Sequence, residues 1–140
     1  MLKISTKGQY ALLIMTDLAN SDSEKFISLK QLSQKHNLSL KYLEQILILL
    51  SKAGLVVGLR GSNGGYKLSK RSENYSAGEI IRAVEGNLSP CETSDGNLNT
   101  VGNAAFWTDF EKVINDYVDS VTLESLALKN RETDEVDYCI

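Results

Sequence analysis

Residues 59 to 68 read Leu-Arg-Gly-Ser-Asn-Gly-Gly-Tyr-Lys-Leu, and the five positions from Gly61 to Gly65 hold three of the chain's ten glycines. Before this stretch Leu55, Val57 and Leu59 alternate with Val56, Gly58 and Arg60, and after it Tyr66 and Leu68 resume the alternation. A period of two on either side of a reversal rich in glycine and asparagine predicts a β-hairpin. Glycine and asparagine accept the positive φ that a tight reversal demands, and such a turn leaves backbone amides free for phosphate oxygens. Two short strands cannot build a core of their own, so the segments around them must supply it.

Those segments read as helices. Tyr10, Leu13, Ile14 and Leu18 form one apolar stripe over residues 8 to 19, and Asn20-Ser21-Asp22-Ser23 ends it. Ser28-Leu29-Lys30-Gln31 has the form of a capping box, which starts a second helix that stops near His36-Asn37. Ser39 can cap a third helix, in which Leu40, Leu43, Ile46, Leu47 and Leu50 keep helical spacing until Gly54 supplies a left-handed terminus. Two helices joined by a turn of about three residues make a helix-turn-helix, and a hairpin directly after the second helix is the winged form. Arg60 then stands at the end of a wing strand, placed to enter a minor groove or clamp a phosphate. A second box, Ser76-Ala77-Gly78-Glu79, opens a fourth helix with Ile80, Ile81 and Val84, closed by Gly86.

The remainder divides differently. Residues 87 to 102 are polar and aperiodic, contain Pro90 and Cys91, and read as a sensor-type loop. From about Asn103 to Ser120 a long helix repeats Phe106, Phe110, Val113, Ile114 and Tyr117, followed by Val121, with Trp107 alongside. That is more aromatic surface than a small winged domain covers, which predicts a dimer seam. Residues 129 to 140 read as a flexible, solvated acidic tail with an abrupt Tyr138-Cys139-Ile140 ending. The expected fold is mainly α with a small β-wing (α+β). It comprises a winged helix-turn-helix over residues 1 to 86, the loop at 87 to 102, a dimerisation helix region at 103 to 128, and the tail.

Charge follows the same division. Residues 1 to 75 carry eleven Lys or Arg against five Asp or Glu, net +6, and residues 76 to 140 carry four against thirteen, net −9, which together make the overall −3. A basic half fits nucleic acid even though the whole chain is acidic, and it argues against a winged helix used purely for protein contacts. The 140 residues, 42% hydrophobic with one proline, suit a single globular domain. Asp17 interrupts the apolar run after Tyr10, so that run reads as an amphipathic helix and not a signal peptide, and a cytoplasmic location is expected. Two cysteines in a reducing compartment are not a disulfide framework. One histidine, no metal-spaced cluster and no phosphate loop leave no basis for an enzyme.

Four ordered stretches, Ser5 to Leu12, Leu38 to Leu47, Leu55 to Leu68 and Ser76 to Gly86, resemble the Rrf2 family of bacterial winged-helix repressors over nearly the whole chain. The resemblance implies a homodimer on double-stranded DNA carrying an imperfect palindrome, with the long C-terminal helix crossing to the partner subunit. Carried over by position, it implies that Ser39, Lys41, Tyr42, Glu44 and Gln45 face the major groove or its flanking phosphates, and that Arg60, Ser62 and Asn63 serve the wing. Glu44 can accept from a cytosine amino group and Gln45 can reach adenine, while Lys3, Lys7 and Lys41 suit phosphate. Structural roles are open to the same side chains: Ser39 as a cap, Tyr42 as packing, Glu44 as the ion-pair partner of Lys41.

Many family members hold an iron–sulphur cluster on three cysteines in the loop before the dimer helix. Here Cys91 is the sole cysteine of that loop, and a spacing like the family's places further ligands near Asn97 and Asn103, which do not hold iron. The chain therefore resembles the branch without a cluster, and no cofactor is expected. That branch senses sulphur supply through a complex with cysteine synthase, on which partners dock by a C-terminal isoleucine. Tyr138, Cys139 and Ile140 are the corresponding residues, with an α-carboxylate for backbone amides to capture and an isoleucine to fill an apolar slot. The alternative within the same fold is direct sensing, by oxidation of Cys91 or by a small ligand in the 87 to 102 loop.

Overall fold

The computed structural model describes residues 3–62, 64–91 and 102–138, with side chains as far as residue 133. Among these, the chain forms α1 (Thr6–Ala19), α2 (Leu29–His36), α3 (Leu40–Lys52), β1 (Val56–Leu59), β2 (Gly65–Leu68), a 3-10 turn at Ser72–Asn74, α4 (Ala77–Glu85), α5 (Ala104–Ser120) and α6 (Leu123–Tyr138). It is a helical domain with a two-stranded antiparallel wing, as the alternation and capping patterns predict. Among the described residues no helix is long and apolar enough to cross a membrane.

One core holds the winged part together. Ala11, Ile14, Met15 and Leu18 of α1 meet Leu32 of α2, Leu43, Ile46, Leu47 and Leu50 of α3, Ile80 of α4 and Leu123 of α6, all buried. The 3.6-residue period places these side chains on one stripe of each helix, and their burial supplies the main favourable term of folding. Tyr75 closes the base of the core. Its hydroxyl donates to the Leu55 carbonyl at 2.6 Å and accepts from the amides of Ser69 and Lys70 at 2.9 and 3.1 Å. The buried ring thereby ties both ends of the wing to the helical body.

The caps explain where the helices begin. Ser28 accepts from the Gln31 amide at 3.1 Å while Gln31 accepts from the Ser28 amide at 3.1 Å, the full reciprocal box. Ser76 accepts from the Glu79 amide at 3.0 Å, but the expected return bond is replaced: Glu79 pairs with Lys70 at 3.2 Å. The lysine on the adjoining strand end offers a charged donor, which is the stronger partner for a carboxylate.

The wing differs from the simplest reading of its alternation. Leu55 and Val56 are buried, whereas Val57 and Leu59 are exposed. The strand turns away from the body after Val56, leaving both later faces in solvent. The register pairs Val56 with Leu68 and Leu59 with Gly65. Ile27 adds a bridge on the far side, exchanging two 2.8 Å bonds with Tyr66. A Cβ at Gly65 would collide with the Ile27 carbonyl, and one at Gly64 with the Leu59 carbonyl. Two of the three wing glycines are thus required for close backbone approach, and Gly65 also has φ +150°.

The C-terminal part also departs from expectation. The dimerisation region at 103 to 128 is not one rod: α5 ends at Ser120, Val121 is extended (φ −93°, ψ 119°), and α6 starts at Leu123. The predicted flexible tail from residue 129 is helical as far as Tyr138. Leu, Lys, Arg and Glu are good helix formers, and α6 is fixed to α1 by bonds from Asn20 to the Ala127 carbonyl and from Asn130 to the Thr16 hydroxyl. Cys139 and Ile140 lie outside the described residues.

Candidate nucleic-acid interface

The turn between α2 and α3 consists of Asn37, Leu38 and Ser39. Asn37 takes the left-handed conformation (φ 53°) that ends α2, and Ser39 accepts from the Tyr42 amide at 3.1 Å to start α3. Ser33 of α2 donates to the Leu38 carbonyl at 2.5 Å. These bonds hold the two helices in helix-turn-helix geometry. With Leu43, Ile46, Leu47 and Leu50 buried, α3 turns Leu40, Lys41, Glu44, Gln45 and Ile48 outward.

Between α3 and the wing lies an open cleft of about 910 Å³. Ser28, Lys30, Glu44, Arg60 and Ser62 line it, together with Leu40, Ile48 and Leu59. Of the residues expected at the interface, the structure therefore brings Glu44, Arg60 and Ser62 onto one cleft. Lys41 and Gln45 are exposed on α3 beside it, and Asn63 lies outside the described residues. Lys3 is exposed and Lys7 half-buried at the amino end of α1. Tyr10, one turn after Lys7, packs edge-on against Tyr42 with ring centroids 6.2 Å apart, which sets that end of α1 beside the start of α3.

The structural roles open to these side chains are met in part. Ser39 caps α3, its hydroxyl accepting from the Tyr42 amide. Tyr42 is half-buried packing. Among the described ion pairs, Glu44 and Lys41 do not meet, and Lys3, Lys7, Lys30, Lys41 and Arg60 enter none. Other cations are engaged: Lys35 pairs with Asp17, Lys70 with Glu79, Arg71 with Glu73, and Lys67 sits over the Phe26 ring at 4.8 Å. Lys3, Lys7, Lys30, Lys41 and Arg60 thus cluster at the start of α1, on α2 and α3, and at the wing, whereas Lys25, Lys52, Lys129 and Arg131, which also enter none of the described ion pairs, lie away from that cluster. Lys30, Leu40, Ile48 and Leu59 are absent from the sequence-based set. Lys30 follows the cap Ser28 by two positions, a legible signal, whereas an exposed leucine at the head of α3 looks like core until the helix is placed.

A second surface lies on α5, where no residue is buried. Phe106, Phe110, Val113 and Tyr117 are exposed, Val113 and Tyr117 at 67% and 68%, while Ile114 and Val121 are half-buried. Phe106, Trp107 and Phe110 cluster at one end, and a shallow pocket of about 320 Å³ lies over Phe106, Phe110, Val113 and Ile114. The helix is held to α4 by polar bonds. Arg82 donates to Asp119 at 2.7 and 3.0 Å and to Asn115 at 2.7 Å, and Asn115 donates to the Leu88 carbonyl at 3.0 Å. The Arg82 hydrogen bond and charge hold the Asp119 carboxyl below the usual carboxylate range, against slight desolvation.

Cys91 is half-buried, its carbonyl accepting from the Ser89 hydroxyl at 3.2 Å, and residues 92–101 lie outside the described part. Tyr138 is the last described residue of α6, and its side chain is outside the description.

The family model for Rrf2, described as an iron-dependent transcriptional regulator, matches residues 4–129. The chain is 42% identical over 126 residues to the HTH-type transcriptional regulator CymR of Bacillus subtilis, covering 90% of each. In three dimensions it resembles the structure of CymR, the global cysteine regulator of B. subtilis, with a TM-score of 0.77 and 43% identity, covering 92% of this chain and 98% of the other. It also resembles T. potens IscR, with a TM-score of 0.73 and 36% identity over 94% and 90% of the two chains.

Proposed function

The chain belongs to the Rrf2 family of transcriptional regulators, a DNA-binding regulator and not an enzyme, and from that premise we propose that it is a homodimeric cytoplasmic repressor of cysteine or sulphur metabolism genes. The observation that carries the reading is the cleft between α3 and the wing, lined by Glu44, Arg60 and Ser62 and flanked by exposed Lys41 and Gln45. Lys41, Lys3 and Lys7 neutralise phosphates and set register, Glu44 and Gln45 read base edges, and Arg60, Ser62 and Asn63 engage the minor groove or its backbone. The similarity to the global cysteine regulator over most of both chains supports the choice of metabolic signal.

The α5 face takes a second copy of the chain through Phe106, Phe110, Val113, Ile114, Tyr117 and Val121. An apolar helix side with nothing buried is the surface that a two-fold axis pairs with itself. The dimer places two recognition helices on the half-sites of a palindrome. Because the loop carries Cys91 as its one cysteine, the donor set does not fit an iron–sulphur cluster, and the regulator works without one.

Cysteine synthase acts as corepressor by capturing the Ile140 carboxylate, with Tyr138 and Cys139 at the mouth of its active site. The acidic C-terminal half keeps this end of the protein away from DNA. The experiment titrates the protein, full length and lacking Ile140, into cysteine synthase carrying pyridoxal phosphate, following cofactor fluorescence. Saturable binding that disappears without Ile140 and is displaced by O-acetylserine supports the corepressor. Absence of binding by both forms discards it and leaves the DNA reading in place.

A further inference from the structure

Leu40 has no structural task that its position explains. It is the first residue of α3 and is 54% exposed, whereas Leu43, Leu47 and Leu50 of the same helix are completely buried. It lines the cleft toward the wing together with Glu44, one helical turn further on. The amino-terminal residues of a recognition helix are those that reach base edges. A leucine there has neither donor nor acceptor, so it can satisfy neither a phosphate nor the polar atoms of a base. The major-groove edge of DNA offers one apolar group, the C5 methyl of thymine.

We infer that Leu40 reads a thymine methyl group, so that the head of α3 specifies a thymine close to the base met by Glu44. The inference rests on the DNA-interface reading above and adds to it a position chosen by apolar contact. Leu40 and Glu44 are four residues apart, about 6 Å along the helix axis. Successive base pairs are about 3.4 Å apart, so the thymine lies one or two base pairs from the cytosine that suits the Glu44 carboxylate. Ile48 lies two turns from the head of α3, beyond its amino-terminal turn, and is not assigned a base.

The test begins with duplexes that the intact protein selects from a random-sequence library. Each thymine of a selected duplex is then replaced in turn by deoxyuridine, which removes the methyl and leaves every hydrogen-bonding group in place. One replacement per half-site is expected to weaken wild-type binding about three- to five-fold, the effect of one lost buried methyl. Leu40→Ala is expected to bind the thymine and deoxyuridine duplexes equally while keeping the wild-type melting temperature and salt dependence. Uniform wild-type affinity across the replacements would overturn the inference, as would a methyl effect that survives undiminished in Leu40→Ala. A library from which nothing is enriched would overturn the DNA reading itself, and the Leu40 assignment with it.

Discussion

Helix α3 buries Leu43, Ile46, Leu47 and Leu50 completely, whereas α5, four residues longer, buries nothing. Both are amphipathic, and both carry their apolar residues at helical spacing. The difference is what each meets. The apolar side of α3 rests on α1, α4 and the base of the wing, so its outer side is free to carry Lys41, Glu44 and Gln45. The side of α5 that carries Phe106, Phe110, Val113 and Tyr117 faces solvent, and the helix is attached through Arg82, Asn115 and Asp119. On the reading proposed above, α3 as a recognition helix has to be rigid before DNA arrives, while α5 as a pairing helix is completed by a second copy. The contrast implies that changes in α3's buried face act on folding and changes in α5's open face act on assembly.

The largest separation of the two should come from a double substitution, Val113→Glu with Tyr117→Glu. Carboxylates in the seam oppose pairing, and the loss of the second half-site should reduce affinity for a palindromic duplex by about 10²- to 10⁴-fold. The unfolding midpoint measured in dilute solution should barely move, and sedimentation should show a single chain. Leu47→Ala should do the reverse, lowering stability by about 2–5 kcal/mol in a denaturant titration. A Leu47→Ala protein as stable as wild type would contradict the core described above.

Arg60→Ala is expected to act on neither folding nor pairing. It should lower operator affinity about ten-fold and flatten the salt dependence by roughly one unit of log–log slope, read from anisotropy titrations at several salt concentrations. The smallest effect concerns the attachment of α5. Asp119, with its carboxyl held below the usual range by Arg82, contributes stability that is present above the ordinary carboxylate pKa and is lost as pH falls through the lowered value. Melting temperatures at pH 7 and pH 3 should therefore fall slightly further for wild type than for Asp119→Asn. Equal falls would remove the Arg82 clasp from the account.

Much of this comparison was legible in the residues. Periodicity and the serine caps at 28, 39 and 76 placed α2, α3 and α4, and the glycine-rich reversal placed the wing, because these features act over a few residues. The exposed stripe of α5 was legible as an excess of aromatic surface. What was not legible depends on distant partners. The helicity of residues 129–138 has no apolar period to announce it and is accompanied by Asn130 bonding to Thr16, far away in sequence. The return partner of Glu79 is Lys70, across a turn from the expected serine amide. Ser5, the cap of α1, donates to Glu85 through its amide at 2.9 Å and through its hydroxyl, a link over eighty residues with no local signature. Leu40 keeps the apolar spacing of α3, and its place at the rim of that stripe emerges only when the wing stands opposite.

In the proposed dimer α3 and the wing bind DNA as a pair supplied by α5. This pairing is tested most directly by titrating the protein against a selected palindromic duplex and against the same duplex with one half-site scrambled. The account predicts two chains per intact duplex and an affinity for it at least about a hundred-fold above that for the single half-site. Equal affinity for the two duplexes, with one chain bound to each, would contradict it.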